Sequence, residues 1–445
     1  MEPFIFGTAT AAYQIEGGVH EGGRGHSIWD TFSQQPGKMK DGATGEVACD
    51  YYHRWKDDLA LMKQLGVDSY RFSIAWPRIF PQQGVYNPEG MQFYKEILLE
   101  LSHLGISAAV TLYHWDLPQW AQDLGGWDNR DCAQWFADYA QKCFAELDGL
   151  VSLWITHNEP FCASFVSNLE GRHAPGNHDL EKALRAAHHL LLSHGLAVQA
   201  YRKMGGKHKV GITLNLAPVY PASASFVDGL ACAAQDAYQN RWFLEPLFRG
   251  QYPQDFCMLL SARCATDFDF VQPGDFAVMQ APLDFLGVNF YTRNVVEFDP
   301  TALLLQHPAY TDLPKTEMGW DVCPETLIDL LRRIRTYTKL PVYITENGSA
   351  WQDTVTDGAV HDPQRADYLL RHLQVLAQAN QEGLNVAGYY YWSFLDNLEW
   401  ALGYSKRFGL VYVDYQTQRR IPKDSFFAYR DFIAAQRGEG CAEHD

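Results

Sequence analysis

Short, almost uninterrupted apolar runs alternate along this chain with longer stretches whose apolar positions recur every three or four residues. The short runs lie at residues 4–10, 67–75, 106–113, 151–156, 209–215, 285–290, 342–345 and 386–391, and they are rich in Val, Ile, Tyr and Phe. Strands buried on both faces read this way, because neither face has to meet water. The longer stretches predict helices. Residues 52–65 put Trp55, Leu59, Met62 and Leu65 on one stripe, close to the 3.6-residue period of a helix with one buried side. Residues 180–204 and 365–381 follow the same rule. Three predicted helices stop on a glycine, Gly66, Gly105 and Gly383, each followed at once by an apolar residue. Glycine accepts the left-handed backbone that ends a helix, so the next strand can begin immediately.

Helix-to-strand turns are therefore short. Several strand-to-helix connections are long: residues 15–50, 292–322 and 393–421. Eight such units predict an α/β fold, a single (β/α)8 TIM barrel with long strand-to-helix loops around the active site, because chemistry in this fold sits at the C-terminal ends of the strands. No Pro/Gly/Ser-rich linker divides the chain, so residues 1–445 are expected to form one domain, with about 438–445 as a flexible tail.

The predicted strand ends carry polar and aromatic side chains. In chain order these are Gln14, Arg71, His114 with Trp115, Asn158 with Glu159, Asn215, Asn289 with Tyr291, Glu346 and Trp392. A single polar residue after a strand usually caps a helix or faces solvent. Eight strand ends aimed at one mouth are different: two carboxyls, several amides, a His, an Arg and indole rings converge there. Such a funnel suits a neutral polyhydroxylated ligand, which needs many directional hydrogen bonds and an apolar platform. Two carboxyls on the fourth and seventh strands face each other across the mouth, as glycoside hydrolysis requires.

Composition narrows the partners. The 53 Asp and Glu outnumber the 36 Lys and Arg, for a formal charge of −17. That balance repels phosphate backbones and anionic membranes, so neither nucleic acid nor membrane is an expected partner. The nine cysteines show no C-x-x-C pair, and the N-terminus lacks a signal-peptide pattern; a reducing, cytoplasmic setting is expected. His188, His189 and His194 are not spaced as metal ligands and are read as helix surface and packing. No metal or other cofactor is expected.

Thr156-His157-Asn158-Glu159-Pro160 resembles the T-x-N-E-P motif of family 1 glycoside hydrolases, and Tyr343-Ile344-Thr345-Glu346-Asn347-Gly348 is similar to that family's I-T-E-N-G motif. Residues 6–17, beginning Phe6-Gly7-Thr8-Ala9, resemble its N-terminal signature. The resemblance runs from about Phe6 to about Arg430 and implies a retaining β-glycosidase of β-glucosidase type. Glu346 would be the nucleophile and Glu159 the acid/base. Arg71 and Tyr291 would keep Glu346 ionised, and Asn158 would hold the sugar 2-OH. Gln14, His114, Asn289, Glu399 and Trp400 would grip the terminal sugar, with Trp392 as its floor and Phe408 at its border. Asn215, Trp320 and Cys162 would face the leaving group, with Trp115 behind the first contacts and Glu170 at the rim. The implied substrate is a β-glucoside or short β-linked oligosaccharide such as cellobiose, with β-galactosides and β-fucosides as further substrates. Two rivals stand beside this reading. In a 6-phospho-β-glucosidase, Glu399 would be replaced by a smaller polar residue, since a carboxylate repels a 6-phosphate. A non-hydrolytic glycoside-binding protein would lack one of the two carboxyls, and both are present. Oligomeric state is not legible.

Overall fold

The computed structural model describes residues 3–438. Eight parallel strands close into a barrel: β1 (Ile5–Ala9), β2 (Ser69–Ser73), β3 (Ser107–Tyr113), β4 (Leu153–Asn158), β5 (Lys209–Asn215), β6 (Phe285–Asn289), β7 (Val342–Asn347) and β8 (Val386–Trp392). Each strand pairs with its predecessor and successor, and β8 closes on β1 in a register that sets Ile5 against Gly388 and Ala9 against Trp392. All eight predicted strands exist. Their ends move by one or two residues; β4 and β7 run on to Asn158 and Asn347, so both motif carboxyls stand at the rim. The expected tail, about 438–445, lies outside the described residues from residue 439 onward.

Helices pack around the strands. The helix Tyr51–Leu65 buries Tyr51, Trp55, Leu59, Met62 and Leu65, the stripe its spacing predicts. It ends on Gly66 with φ +77°, and Gly105 (φ +72°) and Gly383 (φ +77°) end two others in the same left-handed conformation. That geometry costs an L side chain roughly 1 kcal/mol or more and glycine almost nothing. Apolar side chains fill two spaces. One lies between strands and helices; the other lies inside the barrel, where Ala109, Leu153, Ile155, Phe285, Tyr343 and Tyr390 pack together. The barrel is thus plugged below, and its open end is the C-terminal rim.

The long connections carry structure of their own. Val219–Pro221, Asn294–Phe298 and Gln306–Pro308 form a three-stranded sheet beside the rim, and Val411–Val413 pairs with Arg420–Pro422. His188, His189 and His194 are expected as helix surface and packing, and the surface part needs correction. All three are buried. His188 meets Tyr252 and Asp275, His189 the Trp127 carbonyl, and His194 the Thr156 hydroxyl. The helix Leu180–Lys203 is covered on more than one side, so its periodicity cannot separate surface from core.

Candidate active site

At the rim, β2 supplies a buried guanidinium. Arg71 Nη1 donates to Glu346 Oε1 at 2.6 Å and to the Thr345 carbonyl at 2.9 Å, while Nη2 donates to Asn158 Oδ1 at 2.7 Å. One planar fork thereby ties β2 to β4 and β7, a task a point-charge ammonium does poorly. The second oxygen of Glu346 accepts from Tyr291 Oη at 2.6 Å. Asn289, the last residue of β6, donates to Glu159 Oε1 at 2.6 Å and to Asn158 Oδ1 at 2.9 Å, and its own oxygen accepts from Thr345 Oγ1 at 2.8 Å. Asn158, Asn289 and Arg71 therefore join the two carboxyls in one hydrogen-bonded network.

The strand backbone is irregular where the carboxyls leave it. Register shifts fall between Ile155 and Asn158 and between Ile344 and Glu346; such irregularities re-aim side chains at a barrel rim. Glu159 has φ +48°, and two other cavity-wall residues lie in the same left-handed region, Trp115 (φ +78°) and Trp400 (φ +46°). Backbone in this region costs of order 1–3 kcal/mol for such residues and is held by its surroundings. After Glu346-Asn347, a Cβ on Gly348 would sit 1.7 Å from the Trp392 carbonyl, so only glycine lets β7 pass the floor of the site.

Burial disfavours the charge on both carboxyls, which are 5 % and 3 % exposed for Glu159 and Glu346. Their neighbours then separate them. The pKa of Glu346 is raised, by burial first, against the contacting guanidinium of Arg71 and the phenol of Tyr291, which both lower it. Glu159 is pushed up to about 8 by burial and by the charge of Glu346, and its hydrogen-bond donors are neutral, the Asn289 amide and the Cys162 thiol. Arg71 thus contacts Glu346 and favours its charged form, while Glu159 is touched by neutral donors. A third carboxyl, Glu399, is also pushed up to about 8, by burial and then by Glu346 and Glu159.

A cavity of about 950 Å³ opens above this network. Glu159, Asn289, Tyr291 and Glu346 line it, with His114, Trp392, Glu399, Trp400 and Phe408 beside them. Asn215, Cys162, Trp320, Trp115 and Glu170 also reach its wall. His114 lies near-parallel to Trp392 and Trp400, with ring centroids 5.8 and 6.0 Å away. Burial and Arg71 hold the His114 pKa well below its usual value, so the ring is neutral. Its Nε2 faces the Asn158 amide at 3.1 Å, which leaves the proton on Nδ1, a buried atom without a partner among the described residues.

Three predicted site residues stand behind the wall: Gln14, Arg71 and Asn158. Arg71 contacts Glu346, and Asn158 links Arg71 to Asn289, as described. Gln14 lies in the short helix Ala12–Ile15 and is anchored through Nε2 to Asn397 Oδ1 at 3.0 Å and the Leu398 carbonyl at 2.8 Å. Its Oε1 is buried and unpartnered, like His114 Nδ1 and Asn215 Oδ1. A buried polar atom without a partner costs about 1–3 kcal/mol, and these three have none among the described residues. Cys162 opens a π-helical turn, Cys162–Val166, and sits beside Asn215 Nδ2 at 3.7 Å. Trp115 does more than sit behind the first contacts: it lines the cavity and donates to the Asn158 carbonyl at 2.9 Å. Glu170 is engaged by Arg172 and by the Tyr238 hydroxyl at 3.3 Å.

Sequence reasoning missed Thr345, which orients Asn289, and the segment holding Gln235, Tyr238 and Gln239, which forms an outer wall. Thr345 lies inside the I-T-E-N-G motif of β7, where only the tertiary contact shows its role; nothing local marks Gln235, Tyr238 and Gln239, which return to the rim from a separate helical segment.

The sequence profile of glycosyl hydrolase family 1 matches residues 1–438. This chain belongs to that family. A β-glucosidase A of Thermotoga maritima is 46% identical over 97% of this chain and 97% of its own length. A bifunctional β-D-glucosidase/β-D-fucosidase of Bifidobacterium breve is 46% identical, with 97% of each chain covered. Among solved structures, the family 1 β-glucosidase of Exiguobacterium antarcticum B7 superposes with a TM-score of 0.97 at 54% identity, covering 98% of this chain and 99% of the other. The (β/α)8 barrel, the eight-strand closure and membership of the glycoside hydrolases thus agree across sequence and structure.

Proposed function

We propose that this family 1 hydrolase removes the non-reducing terminal β-D-glucosyl residue from small β-glucosides and short β-linked oligosaccharides such as cellobiose, with retention at the anomeric carbon. The observation that carries this reading is the electrostatic asymmetry of the two buried carboxyls: Glu346 held by Arg71 and Tyr291, Glu159 held by neutral donors only. The relatives named as β-glucosidases support it.

In the first step, Glu346 attacks the anomeric carbon while Glu159 gives its proton to the leaving oxygen. Esterification removes the charge of Glu346, which is one cause of the raised pKa of Glu159. Glu159 then becomes a better base, takes a proton from water, and the glycosyl ester is hydrolysed with a second inversion. Asn158 is the donor for the sugar 2-OH. His114 Nδ1 donates to one glycone hydroxyl, while Gln14 Oε1 and Glu399 accept from others. Trp392 underlies the ring, and Trp400 and Phe408 border it. Asn215, Trp320 and Cys162 meet the aglycone. Galactosides and fucosides enter the same site, because they differ from glucosides chiefly at hydroxyls that Gln14 and Glu399 face. We read residues 1–445 as one catalytic unit. We place it in the cytoplasm, since the eight cysteines among the described residues are all free thiols. No helix among those residues is long and apolar enough to cross a membrane.

The test is hydrolysis of p-nitrophenyl β-glucoside beside its galactoside, fucoside and 6-phosphoglucoside analogues, with the first product anomer followed by NMR. Fast release of β-glucose supports the reading. An α-anomer as first product overturns retention, and turnover of the 6-phosphate alone overturns the role given to Glu399.

A further inference from the structure

The cavity extends well beyond the three carboxyls. At about 950 Å³ it lies at the upper end of the ~300–1,000 Å³ typical of small-molecule sites. From Asn215 its wall continues through Leu216 and Ala217 to the segment that follows the helix Phe226–Asp236. Asn240 pins that segment in place, exchanging bonds with the Ala217 backbone at 3.1 and 2.8 Å. There the wall becomes a ladder of side-chain amides. Gln306 Nε2 donates to Gln235 Oε1 at 2.8 Å, Gln235 Nε2 donates to Gln239 Oε1 at 3.1 Å, and Asn294 Nδ2 donates to the same Gln239 oxygen at 2.6 Å. All four amides line the cavity and are half-buried.

The ladder fixes its members without consuming them. Gln239 acts twice as acceptor in it, so its two amide N–H donors are not used there. The carbonyls of Gln306 and Asn294 are likewise unspent within the ladder. Four neutral amides of alternating polarity, held by one another, present donors and acceptors to a ligand without any charge. At the outer rim, Tyr310 is 85% exposed between Ala309 and Thr311, both of which line the cavity. Its loop is anchored by Thr311 Oγ1 donating to Asp321 Oδ1 at 2.6 Å. Neutral hydrogen-bonding groups followed by an aromatic face match the chemistry of a pyranose, which offers hydroxyls at its edge and C–H groups on its face.

We infer that the amide ladder of Gln235, Gln239, Asn294 and Gln306, with Tyr310 beyond it, binds the second and third sugar units on the reducing side of a β-linked oligosaccharide, so that the enzyme reads chain length. The inference rests on the glucosidase reading above and names the substrates that reading favours. Glucosyl units past the scissile bond leave the carboxyls by way of Asn215, cross the ladder and reach Tyr310.

The experiment measures kcat/KM for p-nitrophenyl β-glucoside, cellobiose, cellotriose and cellotetraose on the full chain, with Gln239→Ala and Tyr310→Ala beside it. In the natural protein kcat/KM rises from cellobiose to cellotetraose. In Gln239→Ala the ratio of the cellotetraose value to the p-nitrophenyl glucoside value falls about three- to tenfold, the effect of one or two lost hydrogen bonds. Tyr310→Ala, at an exposed site where folding is not at stake, lowers the ratio for cellotetraose but not for cellobiose. A flat chain-length profile in the natural protein overturns the inference, as does an equal loss on every substrate in both variants. If Gln239→Ala fails to fold, Tyr310→Ala decides. Absence of turnover on p-nitrophenyl β-glucoside by the natural protein would strike the glucosidase reading instead.

Discussion

The segment from Trp392 to Phe408 contributes to two buried charge clusters, and they are built on opposite principles. In one, Asp353, Asp362 and Asp396 meet Arg365, Lys423 and Arg407. Lys423 Nζ bridges Asp353 at 2.5 Å and Asp396 at 2.7 Å; Arg407 reaches Asp396 at 2.6 Å; and Arg365 pairs with Asp353 at 2.9 Å and also with Asp362. Three anions face three cations. At the rim, Glu159, Glu346 and Glu399 line the cavity, and Arg71, behind its wall, pairs with Glu346. Burial would raise Asp396, yet Lys423, Arg407 and Arg365 hold it below its usual range. Burial also acts on Glu159 and Glu399, and with too few cations beside them both are pushed up to about 8. The balanced cluster pairs its charges; in the unbalanced one the carboxyls without a contacting cation are raised. The difference is cation supply, since both clusters are buried.

Substitutions sharpen this contrast, beginning with the largest effect. Glu346→Gly removes the nucleophile, and kcat on p-nitrophenyl β-glucoside is expected to fall roughly 10⁴-fold or more with an unchanged circular dichroism spectrum. Ordinary turnover in that variant would remove Glu346 from the mechanism. Glu159→Ala is expected to cost about 10²–10⁴-fold on the same substrate. With dinitrophenyl β-glucoside it should show a burst and then slow turnover, because that leaving group needs no proton but the ester still needs a base. Added azide should then restore the rate and yield a β-glucosyl azide; no azide effect would deny Glu159 its role.

The balanced cluster responds in stability instead. Asp396→Asn leaves Lys423 and Arg407 short of a counter-charge in a buried place, so unfolding free energy should drop by about 3–5 kcal/mol, read from urea denaturation. A loss confined to activity, with unchanged stability, would contradict the division drawn between the clusters. The smallest effect is on titration. Activity requires Glu159 protonated and Glu346 ionised. The rate should therefore fall as pH rises through the Glu159 pKa, about 8, and fall on the acid side as Glu346 takes up its proton. Glu346→Gln removes the neighbouring charge, so the Glu159 pKa should move down toward the usual ~4.3, followed by NMR of labelled carboxyls. A value still near 8 would assign the shift to burial alone.

The barrel was readable because its evidence is local. Short near-continuous runs rich in Val, Ile, Tyr and Phe favour strands covered on both faces, and Gly66, Gly105 and Gly383 mark where helices stop. Glu159 and Glu346 were readable because short motifs place them just past two such strands. Glu399, Trp400 and Phe408 were legible only through the family resemblance, since they sit on a long loop with no periodicity. His188, His189 and His194 were misjudged in part, because a helix covered on several sides leaves no clean polar stripe.

The amino-acid order by itself determined which segments become strands, where helices end, and which carboxyls reach the rim, since these depend on neighbours within a few residues. Only closure of the barrel decided that Arg71 touches Glu346 and not Glu159, that Asn289 serves both β4 and β7, and that Gln235, Gln239, Asn294 and Gln306 meet in one wall. Those contacts span from 4 to 275 residues of chain, and the longer ones are set by strand register and by how the loops pack on the rim. The charge each carboxyl carries follows from those contacts.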